Sequence, residues 1–97
     1  MKIGKDAYQI FKVLKDDSRL AIFLLLMINK KMTLKQMSDA LEKGKTTIHH
    51  HIRRLEEENI IVWEEDEEDK KKLKTRFYSL HLEYLQNFFG IQTEEEK

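Results

Sequence analysis

The 97-residue chain has no cysteine and no proline, and only three glycines. Without cysteine there is no disulfide framework, no thiolate metal site and no thiol nucleophile. The missing proline and cysteine, the scarce asparagine and the abundant lysine and glutamate match the composition of a thermophile's protein. Long apolar runs are also lacking. The longest, Leu20 to Ile28, is nine residues, whereas crossing a bilayer takes roughly 20. Met1 to Lys15 is charged throughout and has no apolar segment of the secretory kind. The expectation is a cytoplasmic chain with no membrane partner. Net charge is lacking too, at a formal value of zero, but the charge is unevenly spread. Residues 1–59 carry 12 Lys and Arg against 8 Asp and Glu, a net of +4, and residues 60–97 carry 6 against 10, a net of −4. A zero total therefore does not exclude an anionic partner for the first half.

What is present is periodic apolar sequence, enough for one small domain over residues 1–92, with the polar residues 93–97 as a flexible tail. Lys5 to Leu14 places Ala7, Ile10, Phe11 and Leu14 at helical spacing, with Tyr8 and Val13 widening the apolar face. Asp16, Asp17 and Ser18 offer capping side chains to a second helix through Leu20–Ile28, which its continuous apolar character marks as nearly fully buried. Met32 suits a very short strand. Thr33 is the next cap, for a helix over Leu34 to Leu41 that buries Leu34, Met37, Ala40 and Leu41. Gly44 is the expected turn residue before a fourth helix from about Lys45 to Glu58, with Ile48, Ile52 and Leu55 inward and Asn59 as its stop. The period then shortens. Ile60 to Trp63 and Thr75 to Leu80 read as two strands, flanking six acids (Glu64 to Asp69) and a basic stretch. A last helix covers about Leu82 to Phe89 and ends at Gly90. The expected class is mainly α with a small β-hairpin, ordered helix, helix, helix-turn-helix, hairpin, helix. That order describes a winged helix-turn-helix.

Three stretches carry a resemblance. Leu14-Lys15-Asp16-Asp17-Ser18-Arg19-Leu20-Ala21-Ile22 is similar to the L-x-D-P-T-R-L-x-I run that leads into the second helix of ArsR-like winged-helix transcriptional regulators. Thr47-Ile48-His49-His50-His51-Ile52 resembles their T-V-S-H-H-L run, and Arg76-Phe77-Tyr78-Ser79-Leu80 their R-x-Y-x-L second wing strand. The resemblance covers roughly residues 14–80 and lacks the cysteine motif of the metal-sensing members. Glu42 and Lys43 also depart from the family's Gly-Leu turn, and Gly44 stands where a serine cap is usual. The resemblance implies a double-stranded DNA partner, a regulator that represses by occluding a promoter, and a homodimer formed through residues 5–14 and 82–91, both of which hold more apolar residues than one core face requires.

A DNA-reading helix needs an apolar inner stripe and a polar outer face. On the outer face Thr46, His49 and His50 are placed to approach bases, and Lys45, Thr47, Arg53 and Arg54 to lean toward phosphates, while His51 packs inward. In the wing, Lys70, Lys71, Lys72, Lys74 and Arg76 either grip phosphates or form one arm of a charge-laced hairpin; both readings stand. Three consecutive histidines point about 100° apart and cannot share one ion, and no helical His pair has metal-site spacing. No nucleophile–base set or phosphate-cradling glycine loop occurs. No metal, cofactor or enzymatic activity is expected. The alternative to a regulator is a winged-helix module that binds another protein, which a zero net charge suits.

Overall fold

A computed structural model describes residues 5–65 and 75–89. The helices are α1 (Lys5–Leu14), α2 (Asp17–Asn29), α3 (Leu34–Leu41), α4 (Lys45–Glu57) and α5 (Leu82–Phe89); the strands are β1 (Lys31–Met32), β2 (Ile61–Glu65) and β3 (Arg76–Leu80). The three strands form an antiparallel sheet in the order β1-β3-β2. Trp63 stands opposite Tyr78 and Glu65 opposite Arg76. The arrangement is a winged helix-turn-helix, as the element order implied. Gly90, Lys70 to Lys72, Lys74 and the 93–97 tail lie outside the described residues, as do the side chains of Phe88 and Phe89.

Capping fixes where the helices begin. The Asp16 carboxylate accepts from the backbone N–H groups of Ser18 at 2.9 Å and Arg19 at 3.0 Å, satisfying two donors that the first turn of α2 leaves open. Thr33 and Gln36 form a reciprocal capping box at the start of α3, with bonds of 3.1 and 2.9 Å.

The core is one cluster. Ile10 and Val13 of α1, Ile22 and Leu26 of α2 and Met37 of α3 pack with Ile48, Ile52 and Leu55 of α4, closed by Ile60, Ile61, Tyr78 and Leu85. Three expectations need correction. The second helix is not nearly fully buried: Leu20, Leu24, Met27 and Ile28 are exposed, and of its long apolar residues only Ile22 and Leu26 are buried. A continuous apolar run has no periodicity to say which side is packed. On α3, Ala40 is exposed and Ser38 is buried instead. On α1, Val13 takes the inward place and Phe11 is exposed.

The turn between α3 and α4 also differs from expectation. Its left-handed residue is Glu42 (φ 55°, ψ 43°), while Gly44 sits at φ −63° as a cap without a capping side chain. The other positive-φ residues among those described are Lys30 and Asn59. A chain this short of glycine thus closes three of its helices with side-chain-bearing residues in a region that disfavours a Cβ. The Glu42 turn is stitched by Ser38, whose hydroxyl donates to the Lys43 carbonyl, and by the Lys43 N–H donating to the Ser38 carbonyl at 3.2 Å.

This geometry predicts different responses two residues apart. Glu42→Gly removes the left-handed penalty and stabilises the domain by about 1 kcal/mol. Gly44→Ala is tolerated, because its φ is ordinary and an added Cβ meets nothing within 4 Å. Urea denaturation of both variants checks this; a destabilised Glu42→Gly or a Gly44→Ala loss above about 1 kcal/mol contradicts it.

Candidate nucleic-acid interface

Helix α4 has two unlike faces. Ile48, Ile52 and Leu55 each have 0% exposure. Lys45, Thr46, Thr47, His49, His50 and Arg53 are all exposed on the rest of its circumference. The first turn contains no acid, so the partial positive charge of the helix N-terminus is uncompensated there.

The N-terminal half of α4 forms one wall of a cleft of about 590 Å³. Lys45, Thr46 and His49 face it from α4. Thr33, Leu34 and Lys35 contribute the start of α3, and Thr75, Arg76 and Tyr78 the wing strand. The positive side chains Lys35, Lys45 and Arg76 thus converge from three elements. Lys35 bonds Asp39 at 2.9 Å, and this carboxylate raises the lysine's pKa. Both side chains are well exposed, so the pair is weak and open to exchange.

The other expected site residues are placed differently. His50 and Arg53 line a smaller groove of about 280 Å³ farther along α4, shared with Arg54 and Glu57. Arg54 is half-buried and committed within the helix, at 2.8 Å from Glu58 and 3.7 Å from Glu57. Lys70, Lys71 and Lys72 lie outside the described residues. Lys35 and Thr33 were missed from the sequence. Their signal was available, since they open the first helix of the helix-turn-helix, where backbone N–H groups face outward.

His51 behaves unlike its two neighbours. It is half-buried, its Nδ1 is enclosed without a hydrogen-bond partner, and its ring meets that of His50 edge-on at 5.4 Å. Burial lowers its pKa below the usual 6.5; the Asp16 carboxylate opposes the shift, and Arg19, His50 and Lys43 add to it. Asp16 in turn is held below 3.8, chiefly by the Arg19 backbone N–H. The guanidinium of Arg19 also donates from Nε to the Val13 carbonyl at 2.7 Å. This bond ties the first turn of α2 to the end of α1, and Asp16, at the cap of α2, interacts electrostatically with His51 of α4.

Among the described residues, no group of three or more His, Asp or Glu side chains is placed to hold a metal ion. No helix there is long and apolar enough to cross a membrane.

A helical core, the α3–turn–α4 pair and a three-stranded antiparallel sheet define the class as winged helix-turn-helix. Solved structures agree on the fold. The chain is similar to reduced HlyU from Vibrio cholerae (TM-score 0.65, 21% identity, 87% of this chain and 88% of that one). It is similar to a transcriptional regulator homologue protein from Pyrococcus horikoshii (TM-score 0.65, 20% identity, 90% and 89% covered). It is also similar to the reduced form of the transcriptional regulator YodB from B. subtilis (TM-score 0.68, 15% identity, 92% and 86% covered). Residues 14–62 match the family described as helix-turn-helix domain, and the chain belongs to that family. No curated protein matches the chain.

The His51 environment sets a pH response. The folded protein keeps His51 neutral at pH values where the unfolded chain already takes up a proton. Its contribution is complete above 6.5 and is lost as pH falls from 6.5 toward the lowered folded value. The Asp16 contribution persists to lower pH, because its folded pKa lies below 3.8. Stability should therefore decline as pH falls below 6.5, and less steeply in His51→Leu. Equal slopes for the two proteins, measured by denaturation across that window, would refute the assignment.

Proposed function

We propose that this chain is a sequence-specific double-stranded DNA-binding transcriptional regulator of the ArsR-like kind. One observation carries the reading: α4 buries Ile48, Ile52 and Leu55 completely and turns a continuous polar face outward. Helices of this construction enter the major groove with the N-terminal residues nearest the base edges. Thr46, His49 and His50 approach bases in this reading. Lys45, Thr47 and Arg53 take phosphates, joined by Lys35 and Arg76 from the cleft. The wing lysines Lys70, Lys71 and Lys72 extend the same grip along the backbone. Arg54, tied to Glu58, orients the helix end instead. The similarity to two solved transcriptional-regulator structures supports the reading.

The regulator acts as a homodimer and represses by occupying promoter DNA. Supporting the dimer, Tyr8 and Phe11 of α1 and Leu82 of α5 are exposed at 64%, 46% and 63% on the two terminal helices. A two-fold pair sets two reading helices about 34 Å apart, one turn of the duplex.

Titration of fluorescent duplex DNA at several salt concentrations tests this. Affinity should fall steeply as salt rises. The double variant His50→Ala/Arg53→Ala should bind at least about 10-fold more weakly, the size of one lost bidentate contact. Negligible low-salt affinity, or affinity unchanged in the variant, would favour the protein-binding module instead. Sedimentation at tens of micromolar should give a dimer's mass, and a monomer's mass would remove the two-fold arrangement.

A further inference from the structure

Trp63 is the chain's single tryptophan. It stands on β2 and is 41% exposed, more than a core role requires. The guanidinium carbon of Arg76 lies over the face of its ring, 3.8 Å from the centroid, across the two wing strands. Register explains the pairing. Trp63 is opposite Tyr78 and Arg76 opposite Glu65, so Trp63 and Arg76 are diagonal neighbours on one face of the hairpin. Tyr78 and Arg76 both line the cleft that Lys35 and Lys45 face from the helices.

A guanidinium over an aromatic face keeps its charge and carries its N–H groups at its own edge, where a phosphate can compete with the carboxylate of Glu65, the residue opposite Arg76. Unstacked, an exposed arginine samples many rotamers and loses that freedom on binding. The indole removes most of this loss in advance.

We infer that Trp63 is a positioning residue for DNA binding: its ring holds the Arg76 guanidinium at the mouth of the α3–α4–wing cleft, where the N–H edge takes a backbone phosphate of the duplex. The inference rests on the DNA-binding reading above, and the partner is the phosphate backbone, not a base. Trp63 acts only through Arg76 and makes no contact of its own with sequence.

A double-mutant cycle on duplex binding tests it. Arg76→Ala should lower the steepness of log affinity against log salt by about 0.9, the signature of one lost phosphate contact. Trp63→Ala should weaken binding about 3-fold, the scale of an exposed cation–π stack. Trp63→Phe, which keeps a ring for the guanidinium, should recover most of that loss. In the Arg76→Ala background, Trp63→Ala should change affinity no further. Additive losses in the two backgrounds, or full affinity in Trp63→Ala with Arg76 intact, would overturn the positioning role while leaving DNA binding standing. No salt-dependent binding by the unaltered protein would overturn both.

Discussion

The seam of Ile48, Ile52 and Leu55 against the core is the contact on which the rest of the structure depends. All three have 0% exposure, and they meet Ile22, Leu26 and Met37, which are equally enclosed. Burying side chains of this kind contributes about 1.5–3 kcal/mol each, without regard to direction. Direction comes from their spacing of four and three. That spacing fixes which side of α4 faces inward, and so which residues face outward. The outer face is specified by what it is not: it is the arc left over when the apolar seam is satisfied. A polar substitution in the seam would therefore disturb the orientation of Thr46, His49 and His50 before it touched any of them.

The scarcity of glycine shapes how that helix is held. Glu42 and Asn59 carry positive φ at the two ends of the reading unit. Each takes a conformation that a Cβ makes unfavourable, and each persists because neighbouring bonds over-determine it. At the first turn these are the Ser38 hydroxyl on the Lys43 carbonyl and the Lys43 N–H on the Ser38 carbonyl. At the second, the Ile60 N–H reaches the Leu55 carbonyl at 3.0 Å and leads the chain directly into the wing. His51 is half-buried on the hidden side, close enough to Asp16 at the capped start of α2 to feel its charge. Helix α4 is thus held by hydrogen-bonded turns at its start and its end.

Much of this was legible in the sequence. The bounds of α1, α3 and α5 followed from 3.6-residue spacing and, for α3, from the cap at Thr33, and the inward residues of α4 followed from the same rule. The switch to β-branched and aromatic residues located the wing. Each failure has its own physical cause. The apolar run Leu20–Ile28 has no period, so its exposed side could not be told from its buried one. Gly44 drew attention because glycine is the usual left-handed residue, yet hydrogen bonding at Ser38 placed the bend on Glu42. The outward face of α4 was visible, but the cleft was not. It joins Lys35, Lys45 and Arg76, which are far apart in the chain, and the stack of Arg76 on Trp63 depends on a strand register that no local pattern encodes.

The three elements therefore divide the work in this account. The seam orients α4, the turns hold it, and the cleft beside it collects positive charge from α3, α4 and the wing. Phosphate contacts alone would give binding without sequence preference; the exposed Thr46, His49 and His50 are what should add the preference. Selection of bound sequences from a pool of random duplexes tests that central claim most directly. The expected result is an enriched site of two inverted half-sites centred about 34 Å apart, one helical turn. A pool that is retained by the protein yet shows no enriched sequence would contradict it.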